Sequence, residues 1–144
     1  MEKITILIAA IENLIPEYMA NPEDKIKSGG NSAICIIDED NNVFGKVFGD
    51  NKIQCRQFYK IAWTKASQVW ITGYKTGEFE KCVYSEQIDD KKYGIIRPDF
   101  LGWEGGQPVT LKDGTRLSIG FSGFRGFNDI DIVQKAVQKV MNNR

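Results

Sequence analysis

The 144-residue sequence contains no histidine. That absence removes the side chain that titrates nearest neutral pH, the commonest metal ligand and the familiar axial ligand of haem. Ser-His-Asp and Cys-His catalytic arrangements are excluded with it. Net charge is missing as well: 19 basic residues balance 19 acidic ones, so no overall field draws the chain to nucleic acid or to an anionic membrane surface. No stretch approaches the roughly 20 consecutive apolar residues that span a bilayer. Cysteine is sparse and unpatterned, with Cys35, Cys55 and Cys82 odd in number and forming no CxxC pair. Such residues are expected to be reduced thiols in a cytoplasmic protein.

What is present suits one ordinary domain over residues 1–144. A chain of this length buries roughly 70% of the surface its unfolded form exposes, enough to fold without disulfide or metal. Lys3 precedes an apolar run from Ile4 to Ile11, as in a signal peptide, but Glu2 offsets Lys3 and apolar residues continue at helical spacing. Ile4, Leu7, Ile8, Ile11, Leu14, Ile15 and Tyr18 share one face of a predicted helix, with Pro16 expected to kink or shorten its last turn. After the loop NPEDKIKSGGN, the run SAICIID reads as a strand covered on both faces, and VFGKVFG as its hairpin partner across the DEDNN turn. Residues 52–71 are predicted helical. Cys55, Phe58, Ala62, Ala66 and Val69 form the buried stripe, and Tyr59, Trp63 and Trp70 lie along its edge. The combined arc of roughly 140° is wide for one buried face and predicts a homo-oligomer built partly on this helix.

Between Tyr74 and Phe100 the pattern weakens. A short helix is expected within residues 78–94. IRPDF should be extended, with Arg97 and Asp99 either paired with each other or contacting a ligand. Seven of the 14 glycines then fall between Gly102 and Val133. QPVTL and RLSIGFSGF flank an Asp-Gly turn and predict a second hairpin, followed by a helix capped by Asn128 with Ile130, Val133, Val137 and Val140 on one stripe. In the last strand Leu117, Ile119 and Phe121 alternate with Ser118, Gly120 and Ser122, leaving one face nearly bare. Glycine in a strand marks close approach of a backbone or a ligand. The order of elements predicts an α+β domain on an antiparallel sheet.

Two glycine-rich corners, Gly105-Gly106 and Ser122-Gly123-Phe124-Arg125-Gly126, meet a helix start, where backbone N–H groups point outward. Either they frame a cleft, with Arg125 taking a carboxylate or phosphate, or they only permit tight turns and close packing. Trp103 and Glu104 stand just before the first corner. The indole suits stacking on a planar ligand and the carboxylate suits accepting a hydrogen bond; packing at an interface is the alternative. The candidate ligand residues are therefore Trp103, Glu104, Gly105, Gly106, Ser122, Gly123, Arg125 and Gly126. Cys55 would be a soft ligand if exposed, though a buried free thiol is commoner.

The segment GGQPVTLKDGTRLSIGFSGFRGFNDIDIV resembles the carboxy-terminal signature of the GlcG/HbpS-like family, in which GG-x-P, a DG turn, an IG-x-SG strand and an Asp-containing helix start recur. SAICIIDEDNNVFGK resembles that family's first hairpin, and the helix carrying Lys65-Ala66 its central helix. The resemblance implies a profilin-like three-layer α/β/α domain with about five antiparallel strands, assembled as a homo-oligomer. It also implies a small-molecule ligand, a tetrapyrrole or another planar carboxylated compound. Haem is a possible cofactor by resemblance, but without histidine it would need Tyr, Cys or Met as axial ligand, or propionate contacts without strong iron ligation. Two other functions stay open: an enzyme using Glu104 or Asp129 as acid or base with Arg125 orienting an anion, and a ligand-free interaction module.

Overall fold

The computed structural model describes residues 2–85, 87, 93 and 102–142. The elements in chain order are α1 (Glu2–Met19), α2 (Pro22–Ser28), β1 (Ser32–Ile37), β2 (Val43–Phe48), α3 (Lys52–Thr72), α4 (Thr76–Tyr84), β3 (Gly106–Thr110), β4 (Arg116–Ser122) and α5 (Gly126–Asn142). Both hairpins form as expected and join through the pairing of β1 with β4, giving an antiparallel sheet ordered β2-β1-β4-β3. The sheet therefore has four strands among the described residues, one fewer than the resemblance implied. Residues of the IRPDF segment, including Arg97 and Asp99, lie outside those described.

Alternation along the two central strands assigns the layers. Ile34 and Ile36 of β1, with Leu117, Ile119 and Phe121 of β4, point into a core closed by α1 and α5. Ala33, Cys35 and Ile37 face the other way, under Ala62 and Ala66 of α3. All six residues of β1 are buried, as its unbroken apolar run demands.

The α3 face of the sheet is bare for a reason visible in the register. Cys35 pairs with Gly45 on one side and Gly120 on the other, and Gly120 pairs with Gly106, so a row of small residues crosses all four strands. A Cβ on Gly120 would stand 2.7 Å from the Ala66 amide nitrogen and 2.9 Å from Lys65 Cβ, with the Ala62 carbonyl oxygen closer still. Helix α3 lies directly on strand backbone there. The glycine at this position is a packing device.

Several local expectations shift. Helix α1 continues through Pro16 to Met19. NPEDKIKSGGN is not a plain loop: it holds α2, with Asn21 capping the Glu23 amide, Pro22 in the first turn and Gly29 ending it in the left-handed region. Helix α5 starts at Gly126 rather than after Asn128, whose side chain instead donates to Asp24 Oδ2 at 2.6 Å. Its core stripe runs through Ile132, Val133 and Ala136, and Ile130 is only half buried. The short helix expected within residues 78–94 is α4. No described helix is long and apolar enough to cross a membrane.

Candidate functional site

Strand β4 ends at Ser122 and the chain turns through Gly123, Phe124 and Arg125 into α5. Beside this corner lies a cavity of about 420 Å³. One wall is α3, through Phe58, Ile61 and Lys65; α2 contributes Lys27, the segment before β3 contributes Gly102, Trp103 and Glu104, and the corner contributes Ser122, Gly126 and Asp129. Apolar rings and an aliphatic side chain form the walls, and polar groups of both signs stand among them.

A buried pair sits at its base. Lys65 Nζ donates to the Phe121 carbonyl at 2.9 Å and lies 3.4 Å from Asp129 Oδ2, both side chains being 2–3% exposed. Asp129 Oδ1 accepts from the Phe124 amide at 2.8 Å, pinning the corner. Burial weakens both charges. It pushes the Asp129 carboxyl up to about 7, against the opposing pull of Lys65 and the Phe124 amide. It also lowers the Lys65 ammonium, against the opposing effect of Asp129. Lys65 reaches this position because Gly105 has no side chain: a Cβ there would lie 2.5 Å from Nζ and 2.6 Å from the Phe121 oxygen, at φ +127°.

Several other polar side chains of the lining have no partner among the described residues. Ser122 is 5% exposed, yet its hydroxyl makes no hydrogen bond among the described residues. Lys27 and Glu104 likewise form no ion pair there. The Gly126 and Phe127 amides, at the head of a 17-residue helix, find no acceptor among the described residues. Ser122 is buried as a residue, whereas Lys27 and Glu104 are exposed side chains, and polar groups that converge on a cavity in this way are available to a ligand.

Of the eight residues expected from sequence, Trp103, Glu104, Ser122 and Gly126 line the cavity. Gly105, Gly106 and Gly123 do not, and serve packing. A Cβ on Gly106 would meet the Lys65 carbonyl oxygen at 3.0 Å, and one on Gly123 the Asn31 carbonyl oxygen at 2.9 Å. Arg125 requires correction. Its guanidinium holds Asp24 through Nε and Nη2, both at 3.1 Å, reaches Glu23 at 2.6 Å and packs over the Phe127 ring. Its amide also donates to Asp24 Oδ1 at 2.9 Å. Asp24 is buried, which opposes its charge, but the hydrogen bonds from Arg125 and Asn128 prevail and hold its carboxyl below the ordinary range. Arg125 ties α5 to α2. Cys55 is buried, its thiol directed to the Phe48 carbonyl.

The sequence reading missed Lys27, Phe58 and Ile61 as lining residues, and gave Lys65 no chemical role. Lys65 did carry a signal: it lies one residue before Ala66 and three after Ala62, inside the buried stripe, where an unpaired lysine has no place.

No family model and no curated protein matches the sequence. Solved structures do. HbpS matches at 20% identity and TM-score 0.57, covering 95% of this chain and 85% of that one. A PduOC:haem complex matches at 16% identity and TM-score 0.64, covering 96% and 91%. Klebsiella pneumoniae ORFY, a DUF336 protein, matches at 16% identity and TM-score 0.64, covering 96% and 88%. This chain has the GlcG/HbpS-like fold. Within that fold, the cavity lies where β4 passes into α5, the segment whose SGFRG and Asp-containing helix start carried the resemblance.

Proposed function

We propose that this protein binds a small, planar, carboxylated molecule in the cavity between α3 and the β4–α5 corner. The observation that carries this is Ser122, nine-tenths buried, lining the cavity and without a hydrogen-bond partner among the described residues. With the open amides of α5 and the Lys27 ammonium it forms a donor set for a carboxylate. Phe58, Ile61 and Trp103 supply surface for the planar body, and Glu104 accepts from a donor on it. A profilin-like arrangement of the three layers and assembly into a homo-oligomer belong to the same proposal. One structural neighbour is a haem complex, which supports a planar carboxylated ligand. Iron-ligated haem does not fit this donor set, because none of His, Cys, Met or Tyr lines the cavity among the described residues.

Native mass spectrometry of freshly purified protein, followed by denaturing release, reports any retained ligand and its stoichiometry. Calorimetry with benzoate as probe should give one site per chain, weakened by about 1 kcal/mol in Ser122→Ala and by about 1.5–3 kcal/mol in Lys27→Gln if that bond is charge-assisted. Equal affinity in all three proteins would overturn the assignment.

A further inference from the structure

Lys65 asks for an explanation that structure alone does not supply. A lysine ammonium buried to 2% exposure is costly even with Asp129 as its counter-ion, because the attraction within a buried pair often fails to repay the desolvation of both charges. Two acceptors engage Nζ, leaving one of its three protons without a partner among the described residues. Lys65 also lines the cavity with Ser122, and its carbonyl partner, Phe121, immediately precedes Ser122 in the chain. A second cation, Lys27, stands on the same cavity.

We infer that Lys65 forms a covalent imine with an α-oxo carboxylic acid held in this cavity. The inference rests on the carboxylate-binding reading above and adds the chemistry of the adjoining group. The carboxylate would occupy Ser122, Lys27 and the first turn of α5, which brings the neighbouring carbonyl carbon to Nζ. Desolvation favours the neutral, nucleophilic amine and outweighs the opposing pull of Asp129, with the Lys27 cation a smaller contribution in the same sense as desolvation. Asp129, whose carboxyl is shifted toward neutrality, is the proton partner at 3.4 Å. Glu104 and Lys27 are the other charged groups on the cavity.

The step balances. A proton passes from the ammonium to Asp129, and the Nζ lone pair attacks the carbonyl carbon to give a carbinolamine, with one amine proton moving to the former carbonyl oxygen. Asp129 then protonates that hydroxyl, the C–O bond breaks, water departs and the protonated C=N bond forms beside the Asp129 carboxylate. Nothing is oxidised or reduced.

The test uses the full chain with glyoxylate and pyruvate as probes and sodium cyanoborohydride to reduce any imine, followed by peptide mapping. The expected outcome is one adduct per chain on Lys65, formed several-fold faster than on the exposed Lys52 and Lys60, because the cavity would hold the probe's carbonyl beside Nζ. Propionate, which lacks the carbonyl, should protect Lys65. Lys65→Arg should lose the adduct; should that variant fail to fold, Asp129→Asn should slow labelling of Lys65 while leaving Lys52 unchanged. If propionate binds by calorimetry but Lys65 is labelled no faster than Lys52, the imine is wrong and the carboxylate site stands. If neither propionate nor benzoate binds and Lys65 stays unlabelled, both proposals fall.

Discussion

Gly120→Ala adds one methyl group at the centre of the sheet, and the structure sets its cost. The new Cβ would stand 2.7 Å from the Ala66 nitrogen and closer to the Ala62 oxygen, both backbone atoms in the middle of a 21-residue helix. Ordinary contact needs about 3.5 Å or more, and a helix backbone cannot swing aside as a side chain does, so α3 must lift from β4. Overpacking of this kind costs about 3 kcal/mol, the upper end of the usual range, a large part of the 5–15 kcal/mol that holds a domain together. Lifting α3 also stretches the hydrogen bond from Lys65 Nζ to the Phe121 carbonyl, which joins α3 to β4. Ile119→Val, on the opposite face of the same strand, should cost only about 0.5–1.5 kcal/mol. Urea denaturation followed by tryptophan fluorescence measures both. Gly120→Ala within about 0.5 kcal/mol of the parent protein would refute close packing of α3 on bare strand, since that is the size of an ordinary surface substitution.

Gly45→Ala meets the Tyr59 ring, with Cζ at 2.8 Å, on an edge strand where a half-buried side chain can move, so its cost should be about 1 kcal/mol and clearly below that of Gly120→Ala. The Asp129 carboxyl titrates at about 7 in the folded chain against 3.8 as its ordinary value. Its contribution to stability is therefore full below 3.8 and lost as pH rises through about 7, and Asp129→Asn should flatten denaturation midpoints across that window. Asp24 runs the other way: its lowered carboxyl stabilises above 3.8 and loses that contribution as pH falls through the folded value, and Arg125→Ala should lower the melting temperature and weaken this dependence without altering benzoate binding. Trp63 and Trp70 are 41% and 47% exposed on α3, so light scattering should show an oligomer that Trp63→Glu dissociates, and a 16.3 kDa particle at micromolar concentration would contradict the oligomer.

The hairpins, the central helix and the two faces of β4 were legible because each rests on local periodicity or turn chemistry, such as the Asp113-Gly114 turn and the alternation of Leu117, Ile119 and Phe121. Helix α2 was missed although Asn21, Pro22 and Gly29 are ordinary start and stop residues, because its seven residues bury only Asp24 and Ser28 and carry no apolar stripe. Arg125 was misplaced for a tertiary reason: Asp24 is 101 residues away in sequence, while the carboxylates nearer in the chain, Asp129 and Asp131, accept from the Phe124 amide and the Tyr18 hydroxyl. The cavity was half legible. Trp103, Glu104, Ser122 and Gly126 gather in one stretch that composition marks out, whereas Lys27, Phe58, Ile61 and Lys65 arrive from α2 and α3 and meet it only when α3 settles on the glycine row.

The most direct test is amide and tryptophan-indole NMR during titration with benzoate. Binding in the cavity predicts shifts at Lys27, Phe58, Ile61, Ser122, Gly126 and the Trp103 indole, with the Trp63 and Trp70 indoles unmoved. Saturable binding that shifts Trp63 and Trp70 while Ser122 and Gly126 stay still would contradict it.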